Sequence, residues 1–338
     1  MKRPWLLPLV PLYAAGAAAR SAGLHFGLEP VRRLSWPVVS IGNLSAGGTG
    51  KTPFTIALAQ LLLRGGIHVD VLSRGYGRSS NVVERVDVHG SAGQFGDEPL
   101  LISAKTGVPV YVGTQRYRAG RLAERDADPN TGVHLLDDGF QHRQLARQVD
   151  IVLVNSEDLA DSLLPAGNLR EGLSALKRAT VLAVPDGDDA AVERLQALGL
   201  GPRIGQPIWR FRREMVAPKI PESLAQRPVV AFCGIARPEQ FFTALAEKGF
   251  QVAASRTFPD HHAFTKAAVA RLRRLQDSTG SGALVTTAKD LVRLGGLAAT
   301  LDSSGPIFAV DLQVTLGDET SIAAWLRRVL GLATTASS

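Results

Sequence analysis

Residues 38 to 63 read VVSIGNLSAGGTGKTPFTIALAQLLL. The run opens with a short apolar strand, Val38 to Gly42. It passes through a glycine-rich turn and continues from Pro53 to Leu63 with apolar residues at helical spacing. A loop ending in Gly-Lys-Thr between strand and helix is the sequence context of a phosphate-binding loop, whose backbone N–H groups wrap a phosphate. The glycine that opens the usual G-x-x-x-x-G-K-[ST] pattern is replaced by Ser45, but Gly47, Gly48 and Gly50 still let the backbone approach closely. The nucleotide-binding segment is therefore Ser45, Ala46, Gly47, Gly48, Thr49, Gly50, Lys51 and Thr52. Lys51 is assigned to the phosphate oxygens, and the Thr52 hydroxyl to Mg²⁺ accompanying ATP.

Further strand-like runs follow at His68 to Leu72, Val133 to Leu136, Asp150 to Val154 and Thr180 to Val184, with helical segments between several of them. That alternation predicts an α/β fold, a P-loop core with a mostly parallel sheet flanked by helices. From Ile208 to Lys219 the pattern changes to alternating apolar and charged residues, the mark of an exposed antiparallel strand. Ile307 to Val314 repeats it. Between them lies another α/β segment, with strands expected at Val229 to Phe232 and Ala283 to Thr286. The predicted organisation is an N-terminal helix over 1–27, a core over 28–207, a two-stranded linker over 208–227 and 305–316, and a smaller α/β domain over 228–304. A C-terminal helix and frayed tail occupy 317–338. A length of 338 residues suits two domains.

A formal net charge of +7 favours an anionic partner: nucleic acid, an acidic membrane surface or a phosphorylated substrate. No basic stripe with interleaved aromatic residues appears, which argues against nucleic acid. The single cysteine, Cys233, excludes an intrachain disulfide and a cysteine-based zinc site. The first 27 residues carry Lys2 and Arg3 before an apolar run broken by Pro4, Pro8 and Pro11. The apolar run, Pro4 to Ala19, is short for a bilayer span. With Trp5 and Tyr13 as interfacial types, and Arg20, Arg32 and Arg33 nearby, the segment is expected to lie in the inner face of a membrane. Packing of the same helix against the core is the alternative.

Phosphoryl transfer also needs acidic residues near the phosphates. VHLLDDGFQHR, at 133 to 143, sets Asp137 and Asp138 at the end of an apolar run. Alone such a pair is more often a turn or a helix cap; behind a phosphate loop it reads as a metal-binding pair. GDEP at 96 to 99 adds Asp97 and Glu98, and FPDHHAF at 258 to 264 adds Asp260, His261 and His262. A carboxylate or an Asp–His pair can accept a hydroxyl proton. Arg74, Arg78, Arg116 and Arg170 are basic candidates for phosphate contact.

Together these elements resemble the tetraacyldisaccharide 4′-kinase family, the lipid A 4′-kinases of Gram-negative bacteria. The resemblance is carried, in order along the chain, by GNLSAGGTGKTP, LSRGYGR, GDEP, LLDDGFQH, LLPAGNLRE, FCGIARPEQF, FPDHHAF and TTAKDLVRL. One departure is Ala288, where the family pattern has glutamate. The resemblance implies transfer of the ATP γ-phosphate to the 4′-hydroxyl of a tetraacylated disaccharide 1-phosphate at the cytoplasmic face of the inner membrane, with no nucleic acid and no obligate protein partner. It implies Asp97 as catalytic base assisted by His261, with Lys51 on the phosphates. Metal contacts would come from Thr52, Asp137, Asp138 and Glu98, and contacts to sugar and phosphate from Arg74, Gln141, His142, Asn168 and Arg170. The rival is a membrane-associated P-loop switch ATPase acting on protein partners. That class carries a lysine just before the Gly-Gly pair, and this chain has Ala46 there.

Overall fold

The computed structural model describes residues 3–26, 29–127, 132–218, 221, 224, 227–302 and 305–332. Lys2, the Arg20 side chain and the tail beyond Leu332 lie outside the described residues. The strands are β1 (Val38–Asn43), β2 (His68–Ser73), β3 (Glu84–Arg85), β4 (Val110–Val112), β5 (Gly132–Asp137), β6 (Val149–Leu153) and β7 (Val181–Pro185). They continue with β8 (Ile208–Val216), β9 (Val229–Cys233), β10 (Val252–Thr257), β11 (Ala283–Thr287) and β12 (Ile307–Leu316).

Among the described residues these form one sheet in the order β10-β9-β11-β12-β8-β7-β6-β1-β5-β2-β4-β3. Most pairs are parallel, with helices on both faces. β1 sits between β6 and β5 and is buried at every position, as a central parallel strand must be. The loop leaving its C-terminal end leads into helix Lys51–Arg64, which buries Phe54, Leu58, Leu61 and Leu62 against the sheet. These positions recur every three or four residues, so one helical stripe carries them. Deleting one, as in Leu58→Ala, would cost about 2–5 kcal/mol.

The alternating segment Ile208–Val216 pairs antiparallel with β12 over Phe211↔Leu316 to Val216↔Asp311, and parallel with β7 on its other side. β12 is shared: residues 307–310 continue the parallel sheet beside β11, and residues 311–316 pair with β8. A single strand thus carries the sheet from the core into the C-terminal α/β segment.

Three strands have no counterpart in the sequence reading. β3 has two residues and β4 three, too short to show a period. β10 is an edge strand with most positions exposed, so VAASRT has no buried face to select apolar residues.

At the N-terminus a 3₁₀ turn, Pro4–Leu9, runs into helix Val10–His25. This segment is tied to the loop before Arg170: Arg3 N–H donates to the Ala166 carbonyl at 2.7 Å, and the Tyr13 hydroxyl to the Arg170 carbonyl at 3.1 Å. Trp5, Leu12 and Phe26 are about three-quarters exposed. Among the described residues no helix is long and apolar enough to cross a membrane.

Candidate functional site

The phosphate loop is held from below. Gly50 adopts φ 88°, which glycine allows, and starts helix Lys51–Arg64. The substituted Ser45 is buried. Its hydroxyl accepts from Asn43 Nδ2 at 3.0 Å, while Ala46 N–H donates to the Asn168 carbonyl at 2.7 Å. The serine replaces a flexible opening glycine with a residue stitched to both flanks. Asn43 Oδ1 also accepts from Lys51 Nζ at 2.9 Å, aiming the lysine along the loop. From the linker strand, Arg213 Nη1 donates to the Thr49 carbonyl at 3.3 Å.

Asp137 ends β5 almost fully buried and accepts from Thr55 Oγ1 at 3.1 Å. Burial, with Glu98 and Asp138 as like charges, pushes its carboxyl up to about 7. Asp138 has φ 49°, unusual for a residue with a side chain. Burial disfavours its charge, but Lys51 Nζ at 3.5 Å and Arg170 Nη1 at 3.1 Å outweigh that and lower its carboxyl. Thr52, Glu98, Asp137 and Asp138 line one cleft of about 1200 Å³ together with the phosphate loop. Among the described residues no group of three or more Asp, Glu, His or Cys side chains stands close enough to hold a metal by itself, so these oxygen donors fit only an ion such as Mg²⁺, which takes few protein ligands and completes its shell with phosphates and water.

A second cluster crosses from the core to the C-terminal segment. Gly96, at φ 91° and ψ 151°, turns the chain into helix Asp97–Thr106, leaving Asp97 4% exposed at its first position. His261, at φ 57°, brings Nδ1 to 3.2 Å from Asp97 Oδ2. Arg293 reaches the same oxygen through Nε at 2.8 Å and Nη2 at 2.5 Å, and Lys289 Nζ meets Glu98 at 2.5 Å. Burial alone would raise the Asp97 carboxyl; the His261 hydrogen bond and the Arg293 and Lys289 charges hold it well below the usual carboxylate range. The hydrogen bond to Asp97 in turn raises His261 against partial burial.

The remaining candidates divide. Arg74, Gln141, His142 and Arg170 line the cleft, and Gln141 and Arg170 are held to each other at 3.3 Å. Asn168 does not line it: its side-chain amide donates to Asp161 at 2.9 Å, so its part is to brace the loop that carries Arg170. Arg78 is turned to Glu84 and the Val82 carbonyl. Arg116 is buried but faces the cleft. Desolvation and the neighbouring Arg74 charge lower its guanidinium to about 10. Tyr13, Gly16 and Ala17 of the N-terminal helix border the same space. Lys289 and Arg293 were absent from the sequence-based site. They lie in TTAKDLVRL, but no spacing rule connects them to acids nearly two hundred residues away. Ala288, the departure from the family pattern, lines the cleft beside them.

A sequence profile described as tetraacyldisaccharide-1-P 4′-kinase matches residues 2–331. The tetraacyldisaccharide 4′-kinase of Koribacter versatilis is 44% identical over 319 residues, covering 92% of this chain and 94% of that protein. That of Geobacter metallireducens is 37% identical over 327 residues, covering 94% and 95%. Among solved structures, LpxK from Aquifex aeolicus in complex with ATP superposes with a TM-score of 0.76 at 34% identity, covering 96% of this chain and 98% of that one.

Proposed function

This chain belongs to the tetraacyldisaccharide-1-P 4′-kinase family, and from that premise we propose which of its residues perform each part of phosphoryl transfer. It is an ATP-dependent phosphotransferase of lipid A biosynthesis that moves the γ-phosphate to the 4′-hydroxyl of tetraacyldisaccharide 1-phosphate. The observation that carries the assignment of roles is the contact of buried Asp97 with His261, which lines the cleft that the phosphate loop opens into.

In this reading the loop from Ser45 to Thr52 cradles the nucleotide phosphates, and Lys51, aimed by Asn43, stabilises charge on the transferring group. Thr52, Asp137, Asp138 and Glu98 would hold Mg²⁺, which when bound neutralises charge on the phosphate oxygens. Asp97 and His261 orient the acceptor hydroxyl and take its proton as the new O–P bond forms and the bond to ADP breaks. His261 Nδ1 stands 3.2 Å from Asp97 Oδ2, so the pair shares the proton load between core and C-terminal segment. Arg74, Arg116 and Arg170 supply positive charge for the substrate's 1-phosphate.

The lipid reaches this cleft from the side bordered by Tyr13, Gly16 and Ala17. The exposed Trp5, Leu12 and Phe26 support seating of the N-terminal helix in the cytoplasmic face of the inner membrane.

The reading is tested by incubating the protein with Mg-ATP and detergent-solubilised tetraacyldisaccharide 1-phosphate and resolving the lipid by mass. A gain of one phosphate that Lys51→Ala abolishes is expected. ATP hydrolysis with unchanged lipid would contradict it and favour the switch ATPase. For the membrane seat, a chain lacking residues 1–24 should float with anionic vesicles far less than the full chain; equal flotation would contradict the seat.

A further inference from the structure

Arg293 lies in the helix Ala288–Leu294, in the C-terminal α/β segment, with a side chain 4% exposed. Such a guanidinium must spend its five N–H groups on acceptors. Nε and Nη2 both donate to Asp97 Oδ2, at 2.8 and 2.5 Å. Nη1 donates to the Gly234 carbonyl at 2.5 Å and to Asp290 Oδ1 at 3.0 Å. Asp290 is itself fixed, with Oδ2 accepting from Gly234 N–H at 3.0 Å and from Thr287 Oγ1 at 2.7 Å. The arginine thus stands on a rigid base within its own segment and projects its remaining donors onto one oxygen of the core. Its Nη2 also lies 3.3 Å from His261 Nδ1, so Arg293 and His261 converge on the same carboxylate oxygen. The other oxygen, Oδ1, accepts from Glu98 N–H at 3.0 Å.

We infer that Arg293 is a positioning residue for the phosphoryl transfer: it locks the Asp97 carboxylate in a single orientation and registers the C-terminal segment, with His261, against the core. This rests on the reading of Asp97 and His261 as the proton-accepting pair. Arg293 acts through Asp97. Two donors on one oxygen leave the carboxylate no freedom to rotate, and a misplacement of about 1 Å at a reacting group costs about 10²-fold in rate. Lysine cannot replace this, since a single ammonium cannot make the forked contact to Asp97 and still reach Asp290 and Gly234.

The experiment measures kcat and KM for Mg-ATP and lipid in Arg293→Met, Arg293→Lys, Asp97→Ala and Arg293→Met/Asp97→Ala, with thermal unfolding of each. The expected result is a fall in kcat of about 10²-fold in Arg293→Met with each KM within about threefold. Recovery in Arg293→Lys should be under tenfold, methylguanidinium should restore part of kcat to Arg293→Met, and the double variant should be no slower than Asp97→Ala. Wild-type kcat in Arg293→Met overturns the inference. So does a loss shared by kcat and KM that follows thermal destabilisation and is not rescued by methylguanidinium, which would make Arg293 structural only. Full activity in Asp97→Ala would instead overturn the reading of the proton-accepting pair, so the two failures are distinct.

Discussion

Two carboxylate–imidazole clusters sit in this molecule under different constraints. In the core, His134 Nδ1 lies 2.8 Å from Asp70 and its Nε2 3.6 Å from Glu124, with no exposure of the imidazole, under the stacked ring of Trp36. At the cleft, His261 meets Asp97 at 3.2 Å with a third of its side chain exposed. Both histidines are pulled upward by their carboxylates. His134 is held at about 9, because its hydrogen bond to Asp70 and the nearby Glu124 carboxylate outweigh burial. Burial would raise Glu124, yet His134 and the Trp36 and Ser35 N–H groups hold it down at about 2; for Asp70 burial wins and the carboxyl goes up. Perturbed titration therefore fails to separate the two clusters. Access and backbone strain do. His134 and Asp70 are on regular strands, whereas His261 and Asp138 are the two non-glycine residues with positive φ among the described residues, and both line the cleft. Strained backbone persists where surrounding structure over-determines it, often at functional sites.

The comparison is broken most directly by Asp97→Ala. Turnover should fall about 10³-fold while KM for ATP stays near wild type. A pure loss of ATP affinity, measured by nucleotide titration, would remove Asp97 from the proton step. Asp70→Asn should do the reverse: loss of a buried ion-pair partner costs about 3 kcal/mol of stability by denaturant unfolding, with kcat per folded molecule unchanged. A catalytic defect there would erase the distinction between the clusters.

The smallest effect is in pH dependence. The folded-state value of His134 is raised from 6.5 to about 9, so its stabilisation is complete below 6.5 and is lost as pH rises through about 9. The thermal midpoint should fall across that window by more in the wild type than in His134→Gln. Equal slopes would mean that the core imidazole is not charged.

What could be read from the sequence follows how local each feature is. The phosphate loop and its flanking strand and helix are contiguous, so spacing alone revealed them. Asp137 and Asp138 needed an apolar strand before them and the phosphate loop upstream. His261 beside Asp97 came from the family resemblance, because no rule of period or spacing links positions 164 residues apart. Lys289 and Arg293 were missed for the same reason: their roles depend on packing one α/β unit against another. Asn168 enters through the family resemblance, yet its side chain is spent on Asp161. Strands β4 and β10 escaped because one is short and the other is an exposed edge.

We propose that proton acceptance is shared across the boundary between core and C-terminal segment. A double-mutant cycle on kcat tests it, using Asp97→Asn, His261→Ala and the double variant, with folding checked by thermal unfolding. If the pair acts as a unit, the double variant is about as slow as Asp97→Asn alone, a strong departure from additivity. Independent effects that multiply would contradict the shared role and return His261 to the part of a surface residue resting beside an ion pair.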